Sequence, residues 1–139
     1  MTLLTQMGEE YIVDLITGVL TSSTHWLGWG TGAGTADKPD QDVFTPAPEA
    51  RVPATRTQPF VNRLRWTGTM FADAPRTITN VGVFSSSLVL FPPVPLIMHA
   101  DHQPIALAGG DGINYQVELE ITGADENFVV MGDMVIPGG

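Results

Sequence analysis

His99, Asp101 and His102 form the densest group of potential metal ligands in this chain. In an extended segment side chains alternate, so His99 and Asp101 share one face and His102 takes the other. Without a convergent fourth ligand that is a weak zinc pattern. Asp37, Asp40 and Asp42 resemble part of a calcium loop, but the glycine and terminal glutamate of an EF-hand are missing. Both groups read better as an exposed polar strand end and a solvated loop. Gly28-Trp29-Gly30-Thr31-Gly32-Ala33 satisfies the letters of the dinucleotide pattern G-x-G-x-x-A. That pattern works only where a helix opens on the last small residue, and here Gly34, Thr35, Asp37 and Pro39 follow. Glu118 and Glu120 would share a sheet face, as glycosidase carboxylates can. An acid and a nucleophile must sit in different environments, however, and two glutamates on a wet face more simply keep a sheet soluble. No serine stands in G-x-S-x-G. With no cysteine there is no thiolate catalysis, disulfide or thiolate-bound zinc. His25, beside Trp26, reads as a core or interface residue. The expectation is a non-enzymatic protein with no metal and no cofactor.

The arginines are the less ordinary feature. Arg51, Arg56, Arg63, Arg65 and Arg76 make up five of the six basic residues, in a chain of net charge −9. Asp73 is the one acid between Arg51 and Arg76, so the stretch is locally basic. Such opposed regions suit self-association or docking on an acidic scaffold. The alternative is a set of surface ion pairs worth roughly 0–1 kcal/mol each. The acidic balance argues against general attraction to nucleic acid.

These side chains must be positioned mostly by strands. Ile113, Tyr115, Val117, Leu119 and Ile121 alternate with Asn114, Gln116, Glu118, Glu120 and Thr122. That spacing fits a strand with one buried and one wet face. Gly109-Gly110-Asp111-Gly112 before it supplies a tight reversal. Further strands are expected at residues 25–30, 60–70, 76–84 with an irregularity at 80–82, 88–90, 96–100 and 127–136. Residues 34–59 carry Pro39, Pro46, Pro48, Pro53 and Pro59 and read as a long loop or arm. Residues 5–20 give the only helix. Met7, Tyr11, Leu15 and Val19 recur every four positions with Ile12 and Ile16 beside them, Thr5 stands as N-cap, and Glu9 and Glu10 lie in the first turn. Gly18 and the β-branched residues weaken it, so it needs a partner surface.

A length of 139 residues fits one domain with a real core. The division expected is a helical segment at 1–24, a β-sandwich core at 25–122 and a C-terminal strand or arm at 123–139. No lysine or arginine precedes Lys38, as a secretory signal would require. The apolar runs are broken by Asp14 and by prolines, too short to span a bilayer. The fold class is therefore all-β: an antiparallel β-sandwich or jelly-roll-like domain with one short N-terminal helix and an extended Pro-rich loop.

Taken in order, WLGWGTGAGTADKPDQDVFTPAPEAR, FVNRLRWTGTM, TITNVGVFSSS and HADHQPIALAGGDGINYQVELEIT resemble small virion proteins of tailed bacteriophages. The matching features are the glycine-rich turn Gly28–Gly32, Phe44-Thr45 with Arg51, the run Ile78-Thr79 to Gly82 and Phe84, and Ile105, Leu107, Gly110 and Asp111 before an amphipathic strand. The resemblance spans roughly residues 26–122, and its motifs are structural turns. The chain departs from the pattern at residues 88–98, where LVLFPPVPLIM replaces a short turn, and after Asp125. The resemblance implies a capsid decoration (cement) protein on the virion exterior, assembled in the bacterial host cytoplasm as a homo-oligomer, most simply a trimer. Its partner would be the major capsid protein. A tail, fibre or host-glycan-binding module is the alternative, with Trp26, Trp29 or Trp66 exposed at a shallow pocket. Candidate interface residues are Tyr11, Leu15 and Val19 on the helix, Arg51, Arg56, Arg63 and Arg65, and Met134 and Ile136 in the tail.

Overall fold

The computed structural model describes residues 2–18, 24–88 and 95–121 and the backbone of residues 134–135. It contains two antiparallel sheets and one helix. In chain order these are β1 (Thr2–Leu4), α1 (Gln6–Thr17), β2 (Trp26–Gly30), β3 (Val52–Pro53), β4 (Thr55–Phe60), β5 (Arg63–Phe71), β6 (Arg76–Phe84), β7 (Leu96–Leu107), β8 (Gly112–Ile121) and β9 (Met134–Val135). The first sheet runs β1-β7-β6-β2-β3 and the second β4-β5-β8-β9. One core is shared by both: Leu27, Trp29, Ile78, Val81, Val83 and Ile97 from the first meet Trp66, Met70, Tyr115, Val117 and Leu119 from the second.

Strand β8 starts one residue earlier than expected and is described as far as Ile121, and its alternation holds through the middle. Tyr115, Val117 and Leu119 are buried, while Ile113 is half-buried and Ile121 exposed at the ends. Gly110 turns at φ 94°, where a side chain is strained. The turn is not a hairpin within one sheet, because it carries the chain from β7 to β8 across the core. The β5–β6 connection crosses at the same end. There Ala72 N–H donates to the Asp111 carbonyl (2.8 Å) and Gly110 N–H to that of Ala72 (2.7 Å), so the two crossings clasp each other.

Three expectations need correction. Residues 34–59 are irregular only as far as Arg51, since β3 and β4 occupy 52–53 and 55–60. Both are edge strands, and Pro59 falls within the register shift between Thr57 and Phe60, so the prolines block no ladder bond that matters. The strand expected at 60–70 is the end of one strand and most of another, with a turn at Val61 and Asn62. The strand expected to stop at Ala100 runs on to Leu107 as β7. The irregularity expected at 80–82 lies on either side of those residues: β6 pairs with β7 in unbroken register from Asn80 to Val83 and slips between Ile78 and Asn80 and again between Val83 and Phe84. The strands expected at 88–90 and over most of 127–136 lie outside the described residues.

Candidate docking surface

Helix α1 begins where Thr5 caps it. The hydroxyl accepts from Gly8 N–H (3.0 Å) and donates to the Leu96 carbonyl, while Thr5 N–H donates to Ile97 O (3.0 Å). The cap thus also fastens the helix to β7. Gly8 permits the approach, since a Cβ there would lie 2.2 Å from the Ile97 carbonyl oxygen. Gly18, at φ 83°, ends the helix and returns its N–H to Leu15 O (3.3 Å).

The inward side is held by a buried three-residue chain. Trp66 Nε1–H donates to His25 Nδ1 (2.9 Å), and His25 Nε2 faces the Tyr11 hydroxyl at 3.2 Å. An indole nitrogen only donates, so Nδ1 must be the unprotonated nitrogen and Nε2 carries the proton. Burial, and then the positive charge of Arg56, push the His25 pKa down to about 4.

Helix and hairpin together expose a group of large apolar side chains. On α1 these are Val13 (52% exposed) and Ile16 (81%). At the β4–β5 turn they are Phe60 (59%) and Val61 (95%), and Ile121 (43%) ends β8. Between them is an apolar cleft of about 360 Å³ whose walls include Ile12, Val61, Leu64, Leu119 and Ile121. The turn is fixed rather than floppy. Asn62 Nδ2 donates to Ile121 O (3.0 Å), Ile121 N–H donates to Asn62 O (3.0 Å), and Gln58 Nε2 donates to Val61 O (3.1 Å).

Beside this surface the arginines are paired. Arg65 reaches Glu118 at 2.7 Å, and Arg63 reaches Glu120 at 2.9 Å and Glu118 at 3.6 Å, with its guanidinium 4.9 Å from the Phe60 ring centre. Glu118 is therefore not a solvated glutamate; it is buried at the centre of the ladder. Arg56 lies on β4 across from Trp66 and remains exposed. Arg76 pairs with Glu49 and with Asp73. Burial alone would raise the Glu49 pKa, but hydrogen bonds from Arg76, Asp73 N–H and Trp29 Nε1 hold it at about 2.

Several expected interface residues do other work. Tyr11 is buried and Leu15 packs partly against the core, so the outward residues of α1 are Val13 and Ile16. Arg51 is buried as well. Its guanidinium stacks 3.5 Å from the Phe84 ring centre and donates to the carbonyls of Ser86 (3.1 Å) and Leu88 (2.8 Å). It closes the fold around residues 85–88 and offers no accessible charge. Met134 pairs through its backbone with Ile121; its side chain, with Val19 and Ile136, lies outside the described residues. Trp29 and Trp66 are buried and Trp26 is half-buried, so the shallow aromatic pocket is not formed by them.

The polar groups weighed for chemistry also hold the fold. His99 is fully buried, not at an exposed strand end. Its Nδ1 meets Asp40 (2.6 Å) and its Nε2 meets Asn80 Oδ1 (3.0 Å). Asn80 also accepts from Phe44 N–H (2.8 Å) and donates to Phe44 O (3.2 Å), pinning the irregular segment to β6. Asp101 accepts from Ala36 N–H at 2.8 Å, and His102 on the other face meets the Tyr115 hydroxyl at 2.9 Å. Asp37 and Asp42 each bond the next residue's N–H, as loop aspartates do. Among the described residues no three His, Cys, Asp or Glu side chains are placed to hold a metal ion. After Gly30 no helix opens. Instead Thr31 and Gly32 donate to the carbonyls of Thr45 and Phe44, each at 3.0 Å.

Comparison with protein-family models, with curated proteins and with solved structures finds no match to this chain. The functional reading rests on its own residues.

The exposed residues that matter here were hard to see in sequence. Phe60 is in phase with Leu64, Trp66 and Met70 and so counts as core until a turn is placed at Val61. Val13 and Ile16 widen the helix's apolar arc beyond one stripe, which is the signal that a second side needs cover.

Proposed function

We propose that this chain is a non-enzymatic structural protein of a tailed-phage virion, a decoration (cement) protein on the capsid exterior. It works as a homo-oligomer, a trimer by preference, bound to the major capsid protein after assembly in the host cytoplasm. The two sheets are read as a β-sandwich of the jelly-roll kind, with the irregular residues before β3 as its arm. The observation that carries this reading is the apolar surface of α1 and the β4–β5 turn. A rigid patch of that size, set on elements tied down by Thr5, His25 and Asn62, is what a binding module presents to a neighbour. The engagement of His25, His99, Asp101, Arg51 and the Arg–Glu ladder in fastening strands and loops supports a structural role. So does the resemblance of residues 26–122 to small virion proteins. Adding buried area across capsomer junctions would oppose the outward pressure of packaged DNA.

The test is to mix purified protein with undecorated heads and count bound copies. Saturable binding at a fixed number of copies per head is expected. No binding to heads, with binding to tails or host glycans instead, would overturn the reading.

A further inference from the structure

The edges of the two sheets are not equally protected. Natural sheets shield a free edge by keeping it short or by placing proline or a charge on it, because unpaired N–H and C=O groups recruit other strands. Among the described residues β1 is short, β3 is shorter and includes Pro53, β4 carries Arg56 and Pro59, and the part of β7 beyond β1 carries Pro104. Strand β8 is the exception. One side of it pairs with β5 from Gly112 to Glu120, whereas β9 covers the other side at Glu120 and Ile121. The stretch Gly112-Ile113-Asn114-Tyr115-Gln116-Val117 has no proline and no charge. Hydrogen bonds fix which of its groups face out. Ala72 N–H donates to Asp111 O (2.8 Å) and Ile121 N–H to Asn62 O (3.0 Å), so the odd-numbered residues of β8 point their main chain at β5. The N–H and C=O of Gly112, Asn114 and Gln116 therefore point outward, and all three residues are exposed. Their side chains are engaged elsewhere, Asn114 with Thr69 and Gln116 with Glu118 (3.0 Å).

Beside this edge the sandwich is open. A cleft of about 330 Å³ lies between the sheets there, with Val81, Ala100, Ile105 and Val117 among its apolar walls and His102 and Tyr115, 2.9 Å apart, among its polar groups. We propose that the outer edge of β8 takes an added strand, an extended arm of the shell protein to which this chain binds, with an apolar side chain of the arm lowered into that cleft. The inference rests on the function proposed above and says how the partner is held. Open main-chain groups call for an extended backbone, and a cleft on the core side of the edge calls for a side chain at alternate positions of it. Strand addition divides affinity and specificity in that way. The edge already accepts one antiparallel strand, β9, so the arm continues an existing contact. A second copy of this chain fits less well. Its own Tyr115 and Val117 are buried in its core, so two β8 edges brought together would leave both clefts unfilled. The chain's own continuation fits no better. Glu120 pairs with Val135, and two residues further on stands Pro137, which has no N–H to give to a ladder. Charge narrows the composition of the arm. Asp101 lines the cleft, Asp111 precedes the strand and the chain carries a net charge of −9, so the arm is neutral or basic.

The experiment is hydrogen exchange, read amide by amide, on the full chain free and bound to undecorated heads, with two variants of exposed residues, Gln116→Pro and Ile105→Asp. Proline at 116 removes an N–H that points away from β5, so the ladder within the fold stays whole and the urea midpoint should stay near that of wild type. In the free protein the amides of Asn114 and Gln116 should exchange fast and those of Tyr115 and Val117 slowly. On heads, Asn114 and Gln116 should become protected. Gln116→Pro should weaken binding to heads about 30-fold or more, and Ile105→Asp about tenfold. Heads that bind wild type without protecting these amides would overturn the inference and leave the proposed function standing, and that result needs no variant to fold. Binding by both variants as tight as wild type would do the same. Protection of these amides in the free protein as its concentration is raised would give the edge to a second copy and overturn the inference. Wild-type protein that binds no heads would overturn the proposed function and this contact with it.

Discussion

Lowering the pH should loosen the fold at His25 before any carboxylate does so. His25 is neutral in the fold because Trp66 N–H points at Nδ1 from 2.9 Å. A proton on that nitrogen would set two donors against each other in a buried site, with Arg56 adding repulsion. In the unfolded chain the same ring titrates near 6.5, against about 4 in the fold. A depressed histidine pKa contributes stability that is complete above 6.5, declines as the pH falls, and is gone below about 4. At 1.36 kcal/mol per pH unit, that gap corresponds to at most about 3 kcal/mol. Glu49, held at about 2 against 4.5 when unfolded, keeps its contribution down to pH 4.5 and loses it below. The His25 window thus lies above that of Glu49 down to pH 4.5, and the two overlap only below it. The assay is urea unfolding at half-unit steps from pH 7.5 to 4.5, for wild-type protein and His25→Gln. The variant should be less stable at pH 7.5 and flatter with pH, because it has no imidazole to protonate. Parallel curves for the two proteins across that range would refute the assignment of Nδ1 as a buried acceptor.

Other expectations follow from the same contacts. Gly8→Ala, favourable by helix propensity, should instead destabilise by about 2 kcal/mol or more, because the added Cβ meets Ile97 O and lifts α1; thermal unfolding reads it. Asn80→Ala should cost about 2–4 kcal/mol in urea unfolding, since it strands buried partners on Phe44 and His99. Glu118→Lys should destabilise clearly more than Glu120→Lys, because Glu118 is the buried centre of the arginine ladder. Arg51→Glu should damage the fold itself, seen as a lower urea midpoint, by removing the cation over Phe84 and burying a carboxylate among carbonyls.

The parts of this fold that were legible in sequence are those governed by local rules. Alternation marked β8 and Thr5 marked the start of α1, whereas Gly18, read as a weak point inside a helix running to residue 20, ends it in the left-handed region. What escaped was set by contacts between distant residues. Asp101-His102-Gln103-Pro104 looked like the end of a strand, yet β7 continues because β6 pairs with it as far as Leu107. The arginines looked alike in composition, and only the fold separates Arg51, stacked on Phe84, from Arg63 and Arg65 on a glutamate ladder. His99 looked like a surface ligand because its partners, Asp40 and Asn80, lie 59 and 19 residues away. Polar residues with distant partners carry no local signature, and here they hold the long irregular segment in place.

The most direct test of the central claim is to locate the protein in its particle, with a labelled antibody or by electron microscopy of intact virions. The account predicts density on the outer surface of the head, in symmetric clusters, with α1 and the β4–β5 turn at a contact with a neighbouring subunit. Density confined to the tail, or single copies with that surface facing solvent, would contradict it.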